Sequence, residues 1–308
     1  MPHSSRTTPR QAIASAGIAV ACAICPTAEA TPTPITELVL YGIDADSHEL
    51  MRYVFDTDTF TPIGPVIDQN GFTIDHPECL TYLPSGPHKG FYSVPSGKDD
   101  TGGPKNVLCK IDGLTADAYM YPTAQFTYKS IRGMTTVWDA DLGDWIMYGI
   151  AHNNNDPKLV TFNPATGAQA LISTLDTLGS AYEGLATHPT DPDKLYIMTG
   201  WKLAELDIAT GAVNEIADHA AWSRTEALEL MVGDNGLAVT IPGVDPNWTQ
   251  QGALFGFSDS KNMMLIYDPG GSNFAEYTCS FVARDCEGLV FLTQTQDPYG
   301  EVTVEGCD

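Results

Sequence analysis

The chain of 308 residues carries 39 acidic against 15 basic side chains, a formal charge of −24. That balance excludes nucleic acid as a partner, because phosphate backbones are bound by basic surface, and it favours a molecule that repels its own copies and stays monomeric. With 43 % hydrophobic residues there is material for a sizeable core, yet no stretch reaches the roughly 20 apolar residues of a membrane helix.

In chain order, residues 1–30 read as a secretory signal. Arg6 and Arg10 precede the apolar, small-residue run Ala12 to Ile24, and Ala28-Glu29-Ala30 offers an A-x-A cleavage site, so export to the periplasm or the exterior is expected after cleavage near Ala30. Lipid attachment at Cys22 is the weaker alternative, since Ala19 stands where a lipoprotein signal usually has Leu, Val or Ile. Residues 31–37, TPTPITE, form an extended leader, and residues 38–308 a single domain.

The domain opens with three predicted strands between Leu38 and Val66. The clearest unit comes later, from Glu183 to Ile216. There EGLATHP is a short strand, Thr190-Asp191-Pro192-Asp193 a turn, Leu195 to Met198 an apolar strand and Lys202 to Asp207 a half-buried one. Ala209-Thr210-Gly211 then turns the chain into Val213 to Ile216. These are strands A, B, C and D of one sheet.

The strand A opening recurs as Glu78-Cys79-Leu80, Arg132-Gly133-Met134, Glu183-Gly184-Leu185, Glu226-Ala227-Leu228 and Glu287-Gly288-Leu289. The C-to-D turn recurs as often, from Phe55-Asp56-Thr57-Asp58-Thr59 to Tyr267-Asp268-Pro269-Gly270-Gly271. A repeat of roughly 40–60 residues built from four strands predicts an all-β fold, a β-propeller. The first B-C-D set lacks a strand A and the last strand A lacks a B-C-D set. Joining them gives five four-stranded blades, closed by strands from both termini; six blades is the alternative, if Glu226 to Cys286 holds an extra sheet.

Loop lengths predict a working face. A-to-B and C-to-D connections are short, whereas the B-to-C connections Ser96 to Asn106, Ala151 to Lys158 and Pro242 to Gly252 are longer, the last extended by a hairpin through Ala253 to Lys261. A small molecule, glycan or protein partner is expected there. Five cysteines remain after cleavage. Cys279 with Cys286 is one candidate disulfide, Cys79 with Cys109 a less secure one, and Cys307 could tie the tail.

Three candidate sites stand out. Glu78, Glu183, Glu226 and Glu287, with Arg132 in the fifth place, start the innermost strands and converge on one axis. Four carboxylates in a narrow channel call for a cation, a raised pKa or a compensating arginine, and Ca²⁺ is the expected ion because the donors are oxygens. The alternative is that each glutamate staples neighbouring blades through backbone N–H groups. His152 with Asn153, Asn154, Asn155 and Asp156 is either a base beside oxygen ligands or a solvated polar loop, the second being the plainer reading. Trp248, with Asn247 and Gln250, is suited to stacking on a sugar ring or to capping the channel mouth. His188 and the aspartates Asp139, Asp141, Asp144, Asp44 and Asp46 read as turn residues.

The EGL openings and the LYxxxx…LxxxDxxTG half-blades resemble the secreted propellers of the gluconolactonase/paraoxonase-like and NHL/YVTN-type groups. In the gluconolactonase-like enzymes a strand A Glu with Asn and Asp from other blades holds calcium. Glu183 or Glu287 matches that Glu, and Asn153 to Asp156 are loop candidates for the partners. The resemblance implies either a binding module with its ligand at the channel mouth or a metal-dependent lactonase, esterase or carbohydrate-active enzyme. No catalytic residue is assigned. The chain has no G-x-S-x-G, H-E-x-x-H or phosphate loop, so neither nucleotide, flavin nor haem is expected.

Overall fold

Every regular element among the described residues is a β-strand. The computed structural model describes residues 39–44, 46–55, 57–74, 76–95, 106–121, 126–153, 156–177, 182–199, 202–218, 225–231, 253–258, 263–268, 273–277 and 286–292, with the backbone alone at 153, 225–231, 258, 263, 274, 276, 277 and 287. The chain divides into two units, Met1–Pro32 and Thr33–Asp308, and all described residues lie in the second. Among them no helix is long and apolar enough to cross a membrane.

The strands assemble into successive antiparallel sheets. β1 (Val39–Asp44), β2 (Glu49–Val54) and β3 (Thr59–Pro65) form the first. The second contains β4 (Ile67–Asp68), β5 (Thr81–Leu83), β6 (Gly90–Ser93), β7 (Cys109–Ile111) and β8 (Asp117–Met120). The third has β9 (Ile131–Asp139), β10 (Asp144–Asn153), β11 (Asp156–Phe162) and β12 (Gln169–Thr174). The fourth has β13 (Gly184–Thr187), β14 (Lys194–Thr199), β15 (Lys202–Asp207) and β16 (Val213–Asp218), and the fifth β17 (Thr225–Met231), β18 (Ala253–Ser258), β19 (Met263–Tyr267) and β20 (Phe274–Tyr277). Finally β21 (Cys286–Leu292) pairs antiparallel with β1, Val39 facing Leu292, and becomes the inner strand of the first sheet.

The expectation of five or six four-stranded blades is corrected: among the described residues four sheets have four strands and the other has five. Beyond Pro65 the chain stays extended and Ile67–Asp68 adds parallel to β8, where Val66 is fully buried. Among the described residues, Glu226 to Cys286 supplies one sheet, not two.

The chemistry of each strand follows its distance from the axis. β1 and β14 are almost wholly buried, whereas the outer strands β3, β12 and β16 are largely exposed. A strand with a sheet on either side reads as a continuous apolar run, one at the rim does not. Apolar layers fill the space between successive sheets. Val39, Tyr41 and Ile43 meet Tyr82 and Phe91, whereas Leu40, Met51 and Tyr53 on the opposite face meet Phe255 and Phe257 of the fifth sheet. Phe291 stands edge-on to Phe255 with ring centroids 4.4 Å apart. Each fully buried ring of this kind contributes about 1.5–3 kcal/mol.

Candidate functional site

The strand A triplets share a backbone irregularity. In β9, Gly133 faces Ile150 and Ile131 faces Ala151, which leaves Arg132 as an extra residue; Glu226 in β17 and Glu287 in β21 stand in the same position. Before β5, Pro77 bridges Pro95 while Thr81 faces Tyr92, so Glu78, Cys79 and Leu80 stand against Ser93 and Val94. Before β13, Glu183 donates its N–H to Met198 O at 3.0 Å, although Met198 is the partner of Gly184. A bulge of this kind re-aims a side chain and increases local twist.

The small residue after each bulge has its own cause. A Cβ on Gly133 would lie 2.9 Å from Leu185 N, and one on Gly288 only 2.3 Å from Leu80 N. The inner strand of each sheet therefore rests against the backbone of the next, and the charged residue before the glycine is held at the junction of two sheets.

Glu78 and Glu183 are both about 2 % exposed. Arg132 brings its Nε within 3.5 Å of Glu78 Oε2 and keeps a quarter of its side chain exposed. His152, the strand neighbour of Ala151, is half-buried and its N–H bonds Ser130 O at 3.0 Å. Burial, and then the Arg132 charge, hold the imidazole below its ordinary range, so it is neutral at pH 7. Thr199, next to Met198, is buried with an Oγ1 that meets no hydrogen-bond partner. Asp44, opposite Cys286, is 3 % exposed and accepts Ser47 N at 2.7 Å. The structure thus joins Glu78, Arg132 and His152 from two sheets, with Glu183 on the adjoining strand. Thr199 escaped the sequence reading because it ends a strand that looks otherwise ordinary, whereas Asp44, read from the sequence as a turn residue, accepts the Ser47 N–H at the end of β1.

Other expectations change. His152 is a strand residue, not a loop residue: β10 and β11 pair as far as Asn153↔Asp156. The segment with Asn247 and Trp248 is an A-to-B connection, because Ala253–Ser258 is itself strand B, paired with β17 through Met231↔Ala253. Met231, the last described residue of β17, lies at the opposite end of that strand from Glu226. Asn247, Trp248 and Asn154 lie outside the described residues, as do Cys279 and Cys307 and the side chains of Glu226 and Glu287.

Cys79 and Cys109 are free, fully buried thiols. They sit in inner and third strands with β6 between, a separation of about two 4.8 Å strand spacings against the roughly 7 Å limit for a disulfide. Burial pushes the Cys109 thiol up to about 12 and raises Cys79 as well, so neither is a nucleophile. His188 behaves as a turn residue: its Nδ1 accepts Asp191 N at 3.0 Å, and its ring stacks on Tyr196. Among the described residues no three His, Cys, Asp or Glu side chains converge as metal ligands.

No family model and no curated protein matches the chain. Solved propeller-type structures are similar to it at the level of the blade. A nidogen/laminin complex has a chain 10 % identical with a TM-score of 0.49, covering 84 % of this chain and 99 % of that one. A putative 6-phosphogluconolactonase of Bacteroides fragilis is 12 % identical with a TM-score of 0.46, covering 84 % and 98 %. A putative TolB of Agrobacterium tumefaciens is 11 % identical with a TM-score of 0.41, covering 80 % and 71 %.

Proposed function

We propose that this protein is an exported five-bladed propeller, counting the five-stranded sheet as a blade, that binds a small molecule or glycan terminus at the ring of strand A bulges. The observation that carries the reading is the grouping of Arg132, Glu78 and neutral His152 at one sheet junction. Arg132 offers donors, His152 one donor and one acceptor, and the carboxylates accept from hydroxyls, a set suited to a polyhydroxylated ligand. The test is a glycan array probed with the full chain and with His152→Gln. A hit lost in the variant, at unchanged melting temperature, supports the site; binding indifferent to the change places the ligand elsewhere.

Calcium belongs to the same proposal. Arg132 offsets Glu78, and the buried Glu183, whose backbone N–H bonds Met198 O next to Thr199, offers oxygen donors of the kind a hard cation takes, with Glu226 and Glu287 the further candidates by sequence. Bound there, the ion would supply charge neutralisation and a Lewis acid. A melt in EDTA against added Ca²⁺, with metal content measured on the same sample, decides it: one ion per chain and a raised melting temperature are expected. No shift and no metal make the glutamates staples between blades.

A hydrolytic alternative rests on His152, whose imidazole pKa is held below its ordinary range by burial and then by the neighbouring Arg132 charge. Lactone or ester hydrolysis would then hold steady through neutral pH, fall only below the ordinary imidazole range, and vanish in His152→Gln. A rate that the variant leaves unchanged removes this reading.

A further inference from the structure

The β9–β10 hairpin is longer than its counterparts. Counted from the residue after the bulge, inner-strand pairing ends at Thr187↔Leu195 in the fourth sheet, Leu292↔Val39 in the first, Met231↔Ala253 in the fifth and Leu83↔Gly90 in the second. In the third sheet it runs on through Trp138↔Trp145 and Asp139↔Asp144, an overhang of about 7 Å at ~3.4 Å per residue. The overhang lies at the end of the sheet opposite Arg132, away from the site proposed above.

Its composition is costly for a solvated tip. Leu142 at the turn is 70 % exposed and Trp138 45 %. Two aspartates face each other across the strands, an arrangement that destabilises a hairpin. Asp141 adds a third carboxylate, and among the described residues none of the three forms an ion pair. The aromatic surface is nevertheless held in place. Trp145 donates its indole N–H to Ser85 Oγ at 3.1 Å, which anchors it to the second sheet, and Trp138 stands edge-to-face on it at 5.5 Å. Asp139 Oδ1 accepts the N–H groups of Asp141 and Leu142, both at 2.9 Å, and so rigidifies the tip.

We infer that this tip is a docking surface for a partner protein, and that the segment it receives carries arginine or lysine beside an aliphatic side chain. A cation placed beside Asp139 and Asp144 removes their repulsion, and aliphatic groups of the same segment cover Leu142 at the tip and the exposed edge of Trp138 on the other side of the hairpin. A fixed aromatic with few degrees of freedom is the kind of anchor such contacts use.

The probe is the capped peptide acetyl-Arg-Leu-Arg-amide, titrated into the full chain while the Trp138 indole N–H is followed by NMR, with acetyl-Glu-Leu-Glu-amide as control. The Trp138 signal, assigned by its loss in Trp138→Phe, is expected to shift with the basic peptide alone, and 0.5 M salt weakens the response by about fivefold. Asp144→Lys is expected to raise the melting temperature through a new cross-strand pair with Asp139 and to abolish the shift, which separates lost recognition from lost folding. Equal response to both peptides, retention of the shift in Asp144→Lys, or a Trp138 shift with cellohexaose but none with the basic peptide would overturn the inference. Arg132→Gln leaves the titration unchanged, so its outcome is independent of the ligand site at the bulges.

Discussion

Glu78 and Arg132 occupy the same place in successive repeats, yet one is an anion and the other the cation beside it. That substitution sets a cation beside a buried carboxylate at one sheet junction. The triplet itself is legible in the sequence, including its small middle residue. The bulge is not, because an extra residue becomes visible only when two strands are aligned, and neither is the proximity of His152 to Arg132, which needs the sheet register. Replacing Gly288 by Ala drives a methyl to 2.3 Å from Leu80 N and should cost more than the same change at Gly133, where the nearest atom is 2.9 Å away. Urea unfolding should place the first near the upper end, and the second near the lower end, of the about 1–3 kcal/mol typical of overpacking. Equal losses would contradict the close packing of inner strands described above.

At the scale of elements, turn chemistry was the most readable signal. Asn163 Oδ1 accepts Ala165 N at 2.8 Å and Thr166 N at 3.2 Å, which is why Phe162-Asn163-Pro164-Ala165-Thr166-Gly167 reverses the chain between β11 and β12. Asn163→Ala is expected to lower stability by about 0.5–1.5 kcal/mol, whereas Asn163→Asp, which keeps the acceptor, should remain near the parent. A thermal melt that ranks the two variants alike would reject the capping role. The fifth sheet shows where periodicity fails. Residues 237–241, LAVTI, and 253–258, ALFGFS, are both apolar runs of strand length, and nothing in the local pattern says which of them is strand B. The choice is made by packing: Phe255 and Phe257 fill the layer against Leu40 and Tyr53.

For the molecule as a whole, the decisive pairing is β21 with β1, which was legible because each end of the chain holds the part of a blade that the other lacks. Deleting residues 286–308 strips β1 of its inner neighbour and opens the layers on both sides of it. Circular dichroism should then show a broad transition at a much lower temperature in place of a cooperative one, and a peptide spanning residues 284–296 should restore part of the loss in trans. A truncated chain that melts like the intact protein would mean that closure contributes little. The same pairing sets an order in time. Among the described strands β1 leaves a ribosome first and β21 last, and contacts between residues so distant along the chain are slow to form. Until β21 is made, β1 waits with one edge bare, and every copy terminated before it carries that bare edge as a mark of being unfinished.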